Sequence, residues 1–87
     1  MHPEVVEKDL PGLPANIQSR ILDAIGERLG LAPDRYGKPL SSGLKGYRRL
    51  RVGDYRIIYR VQGSDVIVLV VGHRKEVYEA GLWRRED

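Results

Sequence analysis

The chain has no cysteine, no phenylalanine, one tryptophan and one methionine. Without cysteine, neither a disulfide framework nor a thiolate metal site can staple the fold. The two histidines, His2 and His73, stand far apart in sequence and no carboxylate motif joins them, so no metal or other cofactor is expected. The longest apolar run, residues 66–71, is far shorter than the roughly 20 residues that span a bilayer. The first ten residues contain no basic region followed by an apolar stretch, unlike a signal peptide. These absences predict a soluble cytoplasmic protein with no membrane partner. At 87 residues the chain forms one domain, 1–87. A domain of this size buries only about 60% of its unfolded surface, so its core is thin.

What is present is unevenly distributed charge. Residues 1–34 carry three basic side chains (Lys8, Arg20, Arg28) against six acidic ones, and residues 35–87 carry twelve against six. The densest stretch holds Lys45, Arg48, Arg49, Arg51, Arg56 and Arg60 against Asp54 alone. Arginine dominates there, and its planar fork suits bidentate phosphate contact and stacking on bases. An ordinary solvated sheet face would explain the charge count alone equally well.

Residues 3–10 predict a short helix, with Pro3 in its first turn. Pro11, Gly12 and Pro14 end it. Beyond Pro14, the apolar residues Ile17, Ile21, Ala24, Ile25 and Leu29 recur at helical spacing, leaving Gln18, Arg20, Asp23, Glu27 and Arg28 outward. Gly30 is the predicted C-cap. Residues 31–43 are rich in Pro, Gly and Ser and predict a connecting loop.

The period then changes to two. Arg49 and Arg51 share one strand face, with Leu50 and Val52 on the other. After the Gly53-Asp54 turn, Tyr55, Ile57, Tyr59 and Val61 alternate with Arg56, Ile58 and Arg60. A second turn at Gly63-Ser64 leads to a β-branched run, 65–71, apolar on both faces and therefore expected at the sheet centre. Residues 75–83 predict a last short helix carrying Val77, Tyr78, Leu82 and Trp83. The order predicts an α+β fold, with helices on one face of a small antiparallel sheet and arginines on the other.

Alternation thus gathers Arg49, Arg51 and Arg56, and the strand after them delivers His73, Arg74 and, beyond it, Tyr78. Cleavage of RNA by its own 2′-hydroxyl requires removal of that proton, stabilisation of the phosphorane, and a proton for the departing 5′-oxygen. Arginine serves only the charge. His73, Tyr78 and nearby lysines remain as proton carriers; an imidazole titrates near neutrality, whereas a phenol does so only near pH ~10. Each has a structural alternative: His73 as a strand-end residue, Tyr78 as core. Tyr47, Tyr55 and Tyr59 are best read as sheet packing, and Lys45, Arg48, Arg60 and Lys75 as added RNA contacts.

The run LKGYRRLRVGDYRIIY at 44–59, with KPL at 38–40 before it and VVGHRKEVY at 70–78 after it, resembles the RelE/ParE toxin superfamily. VEKDL at 6–10 and the apolar helix to Leu29 also fit. The resemblance implies two N-terminal helices on an antiparallel sheet. In the RelE branch it implies a metal-independent endoribonuclease that cuts mRNA in the ribosomal A site. Basic residues on two strands plus a C-terminal Arg and Tyr carry that activity, here Arg49, Arg51, Arg56, Arg74 and Tyr78. The implied partners are the ribosome, mRNA and a cognate antitoxin that covers the basic face in a hetero-oligomer. The alternatives are a ParE-like inhibitor of DNA gyrase and a non-catalytic RNA-binding member. One departure is clear: relatives begin with a strand before the first helix, and here only Met1 and His2 precede Pro3. Its loss would leave a sheet edge open to another chain.

Induced in cells, the chain is expected to arrest growth, and Arg74→Ala or Tyr78→Ala to relieve the arrest. Plating efficiency after induction checks this, and equal toxicity of both variants would remove the constellation from consideration.

Overall fold

The computed structural model describes residues 1–30, 32, 37–39 and 46–77. Its elements are a helical turn whose core is the π-helical segment Val5–Asp9, helix α1 (Ala15–Ala24) continued by a second π turn (Ile25–Leu29), and strands β1 (Lys38–Pro39), β2 (Tyr47–Val52), β3 (Tyr55–Gln62) and β4 (Asp65–His73). The strands form one antiparallel sheet in the order β1-β2-β3-β4.

The two predicted N-terminal helices are present. Each ends in a wide turn, shown by Leu10 N–H donating to Val5 O at 2.9 Å and Gly30 N–H to Ile25 O at 3.0 Å. Gly30 occupies the cap with φ −68°, a right-handed conformation. Ile21, Ala24 and Leu29 pack with Val5 on Leu50, Ile57, Tyr59, Val68 and Val71, the main core. The β2–β3 and β3–β4 loops each have two residues, with Gly53 and Gly63 first at φ +60° and +61°. That is the position a II′-type hairpin turn reserves for glycine.

Three features differ from expectation. Lys38 and Pro39, read as loop, form a two-residue edge strand opposite Arg49 and Arg48. The Arg48 guanidinium holds the segment by donating to Gly37 O at 3.1 Å, and a short strand carrying proline blunts that edge. Among the described strands β4 is an outer one, not the centre. It is apolar on both faces because both are covered. Val66, Val68 and Val71 join the helix-side core, while Ile67, Leu69 and Val70 form a second cluster with Tyr47, Ile58 and Val77. The face opposite the helices therefore carries a buried apolar cluster as well as arginines. The predicted last helix lies outside the described residues beyond Val77.

The third difference is at the β4 edge, which the N-terminal segment partly covers. His2 N–H donates to Val68 O at 2.7 Å, and the Asp9 carboxylate accepts from Val71 N–H at 2.9 Å. Asp9 is half-buried, so its charge-assisted bond satisfies a backbone donor that β4 would otherwise leave unpaired. Asp9→Ala is expected to lower unfolding free energy by about 1.5–3 kcal/mol. Asp9→Asn, which keeps an acceptor oxygen, should lower it by less. Urea denaturation followed by circular dichroism measures both.

Candidate nucleic-acid interface

The β2–β3 register sets Arg51 directly opposite Arg56, with Arg49 opposite Ile58. Arg49 and Arg51 are exposed and Arg56 is half-buried. Like charges directly opposed on a strand pair are unfavourable by a few tenths of a kcal/mol to about 1 kcal/mol, and here the pairing is imposed by the core beneath. The Arg56 guanidinium donates through one nitrogen to Gly53 O and to Tyr55 O, both at 2.9 Å, which fixes it toward the hairpin tip. On its other flank the β4 residue opposite Arg56 is Gly72. A Cβ there would meet nothing within 4 Å, so the position across from Arg56 is left without a side chain. The same face carries Arg60, whose guanidinium lies 5.5 Å from the Tyr47 ring centroid, a geometry of cation–π contact.

Arg74 follows directly from β4 and is exposed; its backbone N–H donates to Asp54 O at 3.0 Å, tying it to the β2–β3 turn. Lys75 is exposed beside it. Arg48 belongs to the opposite sheet face, half-buried with Leu50, where its bond to Gly37 makes it a tether. Lys45 and Tyr78 lie outside the described residues.

His73 is separated from the arginines. In β4, Val68 faces Tyr59 and Val70 faces Ile58, leaving Leu69 without an opposite residue. This is a β-bulge, and it reverses the facing of every later β4 side chain. Strict alternation from Val66 and Val68 would send position 73 to the arginine face. The bulge sends it instead to the helix side, opposite Tyr55. There its ring meets the Tyr55 ring edge-on, with centroids 6.0 Å apart and planes at 81°. Its Nδ1 accepts from Lys75 N–H at 3.3 Å, while Glu76 N–H donates to His73 O at 3.0 Å. His73 thus caps the turn that presents Arg74. His2 does the same for the first helix, its Nδ1 accepting from Glu4 N–H at 3.1 Å.

Two features of the interface escape a linear reading. Gly72 is informative only once it is known to stand opposite Arg56. The bulge is hidden because Leu69 and Val70 are both apolar. A pocket of about 570 Å³ between Ile25, Leu29 and Val66 lies along the β4 edge and is lined by none of these basic residues.

Residues 3–78 match the model of the ParE toxin of type II toxin–antitoxin systems. The chain belongs to the RelE/ParE toxin family. It is 36% identical over 73 residues to the toxin RelG of Mycobacterium tuberculosis, covering 82% of this chain and 84% of the relative. Among solved structures it is similar to the toxin–antitoxin complex RelBE2 from M. tuberculosis. That match has a TM-score of 0.72 and 36% identity, and covers 78% of this chain and 86% of the other. It is also similar to the RelB–RelE antitoxin–toxin complex from Methanococcus jannaschii, with a TM-score of 0.65, 37% identity and coverage of 84% and 88%. The α+β architecture of two helices on an antiparallel sheet is therefore that of RelE toxins. No helix among the described residues of this RelE/ParE toxin is long and apolar enough to cross a membrane.

His73→Asn, whose side-chain oxygen can accept the Lys75 N–H, is expected to keep toxicity within about tenfold of the parent chain. Loss of a general base would cost about 100- to 10,000-fold. Titrating the inducer against growth rate distinguishes the two.

Proposed function

We propose that this toxin is a ribosome-dependent endoribonuclease that cuts mRNA in the ribosomal A site and so stops translation. The observation that carries the reading is that the strand register sets Arg49, Arg51 and Arg56 on one sheet face, with Gly72 leaving the position across from Arg56 without a side chain. In this mechanism the ribose 2′-oxygen attacks the adjacent phosphorus and the bond to the 5′-oxygen breaks. Arg51 and Arg56 hold the non-bridging phosphate oxygens and stabilise the charge that builds on the phosphorane. Arg74, tied to the hairpin turn through its backbone, adds a third cation, and no metal ion is required for that charge balance. Arg49, Arg60, Lys45 and Lys75 take the flanking phosphates.

The proton inventory is short. His73 is assigned a positioning role, since its Nδ1 accepts a backbone N–H on the helix side of the sheet. Tyr78 is then the residue we assign to take the 2′-hydroxyl proton. It follows Val77, which is buried in the cluster on the arginine side of the sheet. Ribosomal RNA or solvent supplies the proton for the departing 5′-oxygen.

The similar solved structures are antitoxin–toxin complexes, which supports a cognate antitoxin as the protein partner. A cationic face suits an acidic segment that folds as it binds. Such a partner would neutralise the arginines and exclude RNA.

Purified toxin added to ribosomes programmed with mRNA is expected to produce discrete A-site cuts, mapped by primer extension. Arg51→Ala or Arg56→Ala should slow them by about 100-fold or more. Intact mRNA together with blocked DNA supercoiling by gyrase would replace this reading with that of a gyrase inhibitor.

A further inference from the structure

The N-terminal third of the chain is acidic, yet one of its arginines joins the cationic face. Arg20 is exposed on α1, and its guanidinium reaches the β2–β3 turn, with one nitrogen 3.4 Å and the other 3.9 Å from where a Cβ on Gly53 would stand. Glycine leaves that space free. On the other side of the turn the Arg56 guanidinium bonds Gly53 O at 2.9 Å. Two guanidinium groups from opposite sides of the sheet therefore converge on one residue. Arg51 is paired across from Arg56, Arg74 is tied to Asp54, and Lys75 follows. Asp54 is the one acidic residue of the turn. Among the described residues, Arg20 has no hydrogen bond or ion pair that would account for its direction.

Cations gathered this way repel one another, and the repulsion is relieved when an anion lies between them. The geometry points to a phosphate path that does not end on the arginine face but turns over the Gly53-Asp54 tip, with Arg20 binding the backbone on the helix side. We propose that Arg20 is an RNA-binding residue of this toxin, a deepening that rests on the endoribonuclease reading above. The ligand is single-stranded. A path crossing from one face of a single sheet to the other around a two-residue turn demands a sharp bend, which a flexible strand makes and a stiff duplex does not.

The test uses the full chain, a fluorescein-labelled single-stranded RNA and its duplex, and anisotropy titrations over a series of salt concentrations. Arg20→Gln is expected to weaken single-strand binding about threefold or more and to reduce the slope of log affinity against log salt by about 0.7, one phosphate contact on a single strand. Arg20→Lys should restore the slope. The melting temperature of Arg20→Gln should not fall, because the substitution removes a repelling charge; a lowered melting temperature with an unchanged slope would make Arg20 structural and overturn the inference. An unchanged slope in Arg20→Gln, while Arg51→Gln lowers it, overturns the inference and leaves the functional reading standing. Equal losses on single strand and duplex overturn the bent path. Weaker binding to a polyglutamate peptide but not to RNA assigns Arg20 to an acidic protein partner and likewise overturns it. If the parent chain neither binds RNA nor cuts ribosome-bound mRNA, both readings fail together.

Discussion

Strand β3 is held from both sides, and the cationic face depends on that double burial. Ile57 and Tyr59 are buried in the helix-side core, and Ile58 is buried in the second cluster with Tyr47, Leu69, Val70 and Val77. Each such side chain contributes about 1.5–3 kcal/mol when removed from water. An opposed like-charge pair on the surface costs about 1 kcal/mol or less. The core therefore wins, and it can hold Arg51 against Arg56 without help from a counter-ion. A sheet covered on one face only would have less to set against that repulsion. The second apolar cluster is thus part of the reason the arginines can stand together.

The bulge at Leu69 divides the labour at the end of β4. Before it, alternate side chains of β4 match those of β3 in the expected sense; after it, they are reversed. Gly72 then lies beside Arg56 and His73 beside Tyr55. Gly72 leaves the position across from Arg56 bare, whereas strict alternation would have put an imidazole on that face. The histidine, moved to the other face, spends its Nδ1 on the turn that leads into Arg74. One extra residue thus puts the capping histidine and the arginines on opposite faces of the sheet.

The edges of the sheet are managed by different means. At β1 the strand is two residues long and contains proline, tethered through Arg48 and Gly37. At β4 the N-terminal segment takes over, with His2 and Asp9 supplying a donor and an acceptor to the outer backbone groups. Asp9 comes from the same helical turn that sends Val5 into the core, so one short element both packs the sheet and satisfies its edge. Within the acidic N-terminal segment Asp9 is therefore structural, while Arg20 reaches the β2–β3 turn.

Much of this was legible without coordinates. Helical spacing from Ile17 to Leu29, the period of two across Leu50 and Ile57, and Gly at each tight turn determined the helices, the hairpins and the facing of Arg49, Arg51 and Arg56. Those features are local: a side chain's face follows from the repeat of its own element. The motif at 44–59 and 70–78 carried the family, and with it the functional expectation. Tertiary structure decided what depends on two segments at once. Whether β4 lies at the centre or the edge depends on which strands it pairs with, and its apolar run reflects only the packing on its two faces. The side on which His73 emerges depends on pairing with β3, because a bulge between two apolar residues leaves no mark on the pattern. And Arg20 joins Arg56 only through the packing of α1 on the sheet, a juxtaposition across 36 positions that no repeat in the chain encodes.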